Sequence, residues 1–179
     1  MSTRSFVALA ACAILQAQTK YGVGRPPSEA EIRALGATVA PSGAGLPEGS
    51  GTAAAGRELF ARKCARCHGE KAGGDIGPAL VGGQGTLATA KPIRTVGSFW
   101  PHATSVWNYV NRAMPFDKPG SLTHAEVYAA VALILHWNGI VSENQVLDAK
   151  TLPAVRMPNR DGFIPDPRPD VKRPGAPGK

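Results

Sequence analysis

Cys64-Ala65-Arg66-Cys67-His68 is the stretch that decides the reading of this 179-residue chain. Cys-x-x-Cys-His is the spacing at which two thiols take up the vinyl groups of one haem while the adjacent imidazole ligates its iron. Half of a zinc site and a dithiol redox pair are the competing readings, and each makes a demand on the rest of the chain. Structural zinc needs four ligands, usually with a second Cys/His pair at short spacing. Here the remaining histidines, His102, His124 and His136, are singletons among helical residues. A thioredoxin-like pair opens a helix after a buried strand, whereas residues 57–63, just before the motif, carry a helical pattern. The motif therefore implies one covalent haem c on Cys64 and Cys67, with His68 as an iron ligand.

The first residues fit that chemistry. Residues 1–17 read as an export signal: Arg4, an apolar run from Phe6 to Leu15, and Leu15-Gln16-Ala17 as the cleavage site. The run is too short to span a bilayer, so no transmembrane anchor is expected. Cys12 closes Leu9-Ala10-Ala11-Cys12, which resembles a bacterial lipobox, so lipidation of Cys12 competes with simple cleavage. Cleavage is preferred because the apolar run continues past Cys12. It leaves only Cys64 and Cys67, hence no structural disulfide and two thiols available for haem. C-type haem is attached outside the bacterial plasma membrane, so the expected compartment is the periplasm. The formal charge of +7 falls to 19 − 13 = +6 when Arg4 is removed, a balance that favours an acidic partner surface. The basic residues are dispersed and no basic run carries interleaved aromatics, which excludes nucleic acid as the partner.

With 21 glycines and 16 prolines, much of the chain must be loop. Residues 18–51 read as an extended arm, with a brief helix over 28–35 that Ser28 and Glu31 could open as a capping box. Residues 141–179 read as a second Pro-rich arm. Between them, residues 52–140 form the expected haem domain, too small for an independent core unless a cofactor fills its middle. Three helices are predicted there. The first starts at Thr52 and runs into the motif. The second covers 104–113 and is stopped by Pro115. The third follows the capping box Thr123-His124-Ala125-Glu126, continues through Trp137 and stops at Asn138-Gly139. Alternating apolar strands are missing, so the fold class is all-α.

Gly73-Gly74-Asp75-Ile76-Gly77-Pro78-Ala79-Leu80 resembles the loop of class I c-type cytochromes in which a proline carbonyl accepts the haem histidine N–H. The resemblance implies the class I cytochrome c fold and gives that role to Pro78. Gly56 and Phe60 match the small and aromatic residues that cross the last helix in that family, with Tyr128, Leu133 and Trp137 as candidate partners. For the sixth iron ligand the candidates are Met114, Met157, the three lone histidines or an open position. Met114 is preferred: it sits in Asn111-Arg112-Ala113-Met114-Pro115-Phe116, after a helix and before a proline, at a separation from His68 that suits a small bacterial class I cytochrome. Met157 reads as core filler. Trp100, Trp107, Tyr109 and Arg112 are candidates to pair with propionates, with packing as their ordinary alternative.

Further blocks, Tyr21-Gly22-Val23-Gly24-Arg25-Pro26, Gly45-Leu46-Pro47-Glu48-Gly49-Ser50-Gly51, Thr95-Val96-Gly97-Ser98-Phe99-Trp100-Pro101 and the tail from Leu152 to Phe163, resemble the cytochrome c subunits of molybdenum-dependent sulfite dehydrogenases and their sulfur-oxidising (Sox) sulfur dehydrogenase relatives. Some Sox relatives carry two haems, whereas this chain has a single motif. The resemblance implies a monohaem electron-transfer subunit, not an enzyme by itself, that takes electrons from a molybdopterin-containing catalytic subunit and passes them to a downstream cytochrome c. The alternatives are a free periplasmic carrier serving other redox partners, and a haem enzyme or gas sensor with an open iron position, in which Met114 would only pack.

Overall fold

The computed structural model describes residues 24–34, 38–164 and 168. The expected export signal, with Cys12, lies outside the described residues, as does most of the tail after Ile164. The chain divides into two compact units, residues 1–37 and 38–179. In the first, helix α1 (Glu29–Ala34) opens at the expected capping box. The Glu31 carboxylate accepts from the Ser28 amide at 2.8 Å and the Ser28 hydroxyl accepts from the Glu31 amide at 3.3 Å.

The second unit holds α2 (Ala53–Lys63), α3 (Ala65–His68), α4 (Ala103–Ala113) and α5 (His124–Trp137). The core sits around α5, in which every residue from Val127 to Leu135 is buried. A helix buried on all sides must be covered from several directions, and α2, α4 and the flanking segments do this. Its start is fixed locally: the Thr123 hydroxyl accepts from the Glu126 amide, while the Glu126 carboxylate accepts from the Thr123 amide at 2.8 Å. Its end is fixed by Asn138 and by Gly139, whose φ of 71° belongs to glycine.

Helix α2 begins at Thr52, whose hydroxyl accepts from the Ala55 amide at 3.2 Å. It crosses α5 at Gly56, where a Cβ would fall on the Ala129 carbonyl and 2.9 Å from the Leu133 Cβ. Only glycine lets the two backbones approach so closely. One turn on, Phe60 packs edge-to-face on Trp137, ring centroids 4.9 Å apart. Leu133 and Trp137 thus meet the residues expected of them. Tyr128 instead stacks on Trp107 of α4 at 5.3 Å, and its hydroxyl donates to the Pro47 carbonyl at 3.0 Å.

The Pro/Gly-rich segments on either side also contribute to the core. Val39 before α2, and Val141, Leu147, Leu152, Val155 and Met157 after α5, are buried. Two short strands, β1 (Ser50–Gly51) and β2 (Leu147–Asp148), pair antiparallel with Gly51 opposite Leu147. Strands of two residues carry no readable period, which is why they lie outside the all-helical expectation.

Candidate haem site

Helix α2 delivers Cys64 at its C-terminal cap, where the Cys64 amide donates to the Phe60 carbonyl at 2.9 Å. The single turn α3 then carries Cys67 and His68, and Gly69, at φ 76°, turns the chain out of it. The loop that follows folds back onto α3. The Gly74 amide donates to the His68 carbonyl at 2.9 Å and the Gly77 amide to the Cys67 carbonyl at 2.7 Å. This brings the Pro78 carbonyl to 2.8 Å from His68 Nδ1. A carbonyl can only accept, so Nδ1 carries the proton and the Nε2 lone pair is left free for a metal. A Cβ at Gly77 would stand 3.2 Å from the imidazole ring and from the Cys67 carbonyl, so the glycine sets the distance between loop and ring.

Both thiols are half-buried and free. Burial, with a smaller contribution from Cys67, pushes the Cys64 thiol up to about 11. Cysteines of dithiol redox pairs have lowered pKa values, so this surrounding disfavours a reactive thiolate and suits a thioether. Among the described residues no three His, Cys, Asp or Glu side chains gather to hold a metal ion.

Met114 caps α4, its amide donating to the Val110 carbonyl at 3.1 Å, and leaves the helix in an extended conformation ahead of Pro115. It belongs to the half-buried apolar residues, among them Cys64, Leu80, Val81, Trp100 and Trp137, that pack against the core. Apolar surface left partly open in this way is what a planar apolar group such as haem would cover. Trp107 Nε1 is buried without an acceptor, a donor that a propionate would satisfy. Of the other propionate candidates, Trp100 stacks edge-on with the half-exposed Tyr109 at 5.6 Å, and Arg112 lies exposed in the last turn of α4. Of the other ligand candidates, Met157 is a core side chain, 1% exposed. His136 Nδ1 lies 3.2 Å from the Val141 carbonyl, His124 packs on the Trp107 ring, and His102 buries its Nδ1 without a partner.

Residues 51–134 match the family model described as cytochrome c oxidase, cbb3-type, subunit III. No curated protein matches the chain significantly. A chain of the sulfane dehydrogenase SoxCD from Paracoccus pantotrophus, known from a crystal structure, is 41% identical with a TM-score of 0.75, over 87% of this chain and 80% of that one. The chain belongs to the c-type cytochromes. Haem c is therefore the cofactor implied for this cytochrome, and electron carriage its role. The likeness to the SoxCD chain extends well past residues 51–134, so the flanking segments of the cytochrome share it. Among the described residues no helix is long and apolar enough to cross a membrane.

Two positioning contacts of the cytochrome escape sequence reasoning. Asn138, read only as a helix stop, donates to the Leu80 carbonyl at 3.1 Å and accepts from the Gly82 amide at 3.1 Å. It thereby pins the segment after Pro78 to the end of α5. Arg66, between the two cysteines, pairs with Asp117 at 3.0 Å and links α3 to the loop after Met114. The Asn-Gly pair signals a turn, but nothing in a sequence says which distant backbone an amide will hold.

Proposed function

We propose that this cytochrome is a monohaem electron-transfer subunit that accepts electrons from a molybdopterin-containing sulfite or sulfur dehydrogenase subunit and passes them to a downstream cytochrome c. The observation that carries the haem assignment is the 2.8 Å approach of the Pro78 carbonyl to His68 Nδ1, within a loop built on α3. Cys64 and Cys67 would hold the group by thioether bonds, and His68 and Met114 are the residues that would ligate its iron. The haem supplies a one-electron couple at its iron. Pro78 orients the imidazole and fixes its tautomer. As a ligand, the Met114 thioether would favour ferrous iron over what a second imidazole would give, raising the potential and suiting an acceptor. With both of these residues bound, no position would be open for substrate, so this chain would carry electrons and the partner would perform the oxidation. The identity to the SoxCD chain, and its extent, support a sulfur dehydrogenase as that partner. Export through residues 1–17 would place the complex in the periplasm.

The test is sulfite-dependent haem reduction in the natively purified protein, with absorption spectra to the near infrared, where methionine bound to ferric iron gives a charge-transfer band. Co-purification of a molybdenum subunit, reduction by sulfite, and loss of the band in Met114→Ala are expected. A chain that purifies alone, ignores sulfite and keeps the band is a free carrier. A wild-type protein that lacks the band and binds carbon monoxide when reduced has an open iron position instead.

A further inference from the structure

A cleft of about 310 Å³, separate from the motif, opens between loop residues 87–94 and the C-terminal segment. Leu87, Pro92, Phe99 and Phe163 form its apolar walls, with Arg94 and Asn159 as polar lining. The tail is fastened there. Met157 is buried, and Asn159 Nδ2 donates to the Phe99 carbonyl at 2.8 Å. Phe163 packs edge-on against Phe99, centroids 5.3 Å apart. Yet the tail leaves its apolar groups uncovered: Phe163 is 54% exposed and Ile164 85%. Exposed aromatic and aliphatic groups that cluster on a pinned segment mark an interaction surface. Arg94 sets its guanidinium 5.5 Å from the Phe99 ring centroid, and no carboxylate among the described residues pairs with it.

We propose that this cleft is the docking site for the electron-donating partner subunit, which inserts an apolar side chain between Phe99 and Phe163 and pairs a carboxylate with Arg94. The inference rests on the electron-transfer reading above and names its interface. An aromatic and aliphatic face suits a lasting complex better than a brief encounter, because long-lived interfaces are the more apolar ones. An aromatic pocket beside an arginine is also the arrangement in which interface energy concentrates. The overall charge of +7 makes an acidic counterpart the favoured partner.

Arg94→Glu and Phe163→Ser, separately and together, test this in the haem-loaded chain co-expressed with its partner. Both side chains are exposed enough to be replaced without a cavity. An unchanged haem spectrum and unfolding temperature, and unchanged reduction by dithionite, are expected. Co-purification of the partner should be lost, and haem reduction by the partner's substrate should slow at least tenfold. Variants that bind and are reduced like wild type overturn the docking site while leaving the electron-transfer reading intact. A chain ending at Ile164 that binds the partner more tightly than the full chain assigns the cleft to the chain's own tail and overturns the proposal. A wild-type chain that never associates with a dehydrogenase overturns both.

Discussion

Gly77 is the residue at which one added methyl should be felt most directly. Gly77→Ala places a carbon 3.2 Å from the His68 ring, tighter than ordinary contact, and either the ring tilts or the Pro78 carbonyl withdraws. The expected outcome is a shift of the haem absorption bands together with a loss of about 1–3 kcal/mol on thermal unfolding, the usual cost of overpacking. Residues of this kind differ in how far a sequence displays them. Cys64, Cys67 and His68 are legible because the chemistry needs them at fixed spacing along the chain. Pro78 is legible only through its surrounding loop, since any residue has a carbonyl. Asn138 and Arg66 are not legible as positioning residues, because their partners, Leu80 and Gly82 for one and Asp117 for the other, lie far along the chain.

Among the elements, α5 was the easiest to read and its start is the easiest to perturb. Thr123→Ala removes half of the capping box and is expected to cost about 0.5–2 kcal/mol, measured as a lower unfolding temperature at neutral pH. The penalty should depend on pH. The Thr123 amide, then its hydroxyl, hold the Glu126 carboxyl below its ordinary value. A group depressed in the folded state adds stability that is present above its unfolded pKa, about 4.3, and is lost as pH falls through the lower folded value. The gap between wild type and Thr123→Ala should therefore narrow, without closing, as the pH drops below about 4, because only the hydroxyl's bond to the carboxylate titrates while its bond from the Glu126 amide does not; a gap constant down to pH 2 would show that the hydroxyl–carboxylate bond adds nothing. Boundaries of this helix were readable because caps are local, carried by Thr123, Glu126, Asn138 and Gly139. Strands β1 and β2 were not readable: their two-residue pairing is decided by what packs beneath Gly51, where a Cβ would press into Ala129.

For the whole molecule, the segments outside residues 52–140 decide whether the core closes. A chain ending at Val146 would lose Leu147, Leu152 and Met157, each at most 1% exposed. Losing one such side chain costs about 2–5 kcal/mol, and a domain of this kind has only about 5–15 kcal/mol in total. The truncated chain is expected to be unfolded or molten, with no cooperative thermal transition in a calorimetric scan, and a cooperative transition close to that of the full chain would show that these side chains do not hold the core. The proline and glycine content of these segments correctly signalled irregular backbone but hid their burial, because isolated apolar residues such as Val39, Leu152 and Met157 have no period to betray them.

The pairing of Gly51 with Leu147 also has a meaning in time. A chain made N-terminus first presents Cys64, Cys67 and His68 long before Leu147 follows. Until then the clasp lacks one of its sides, and Leu152 and Met157, which complete the core, have not yet been made. The order of residues along the chain thus leaves an interval in which the motif exists before its domain has closed, and the last part of the core to arrive is the part that ends it.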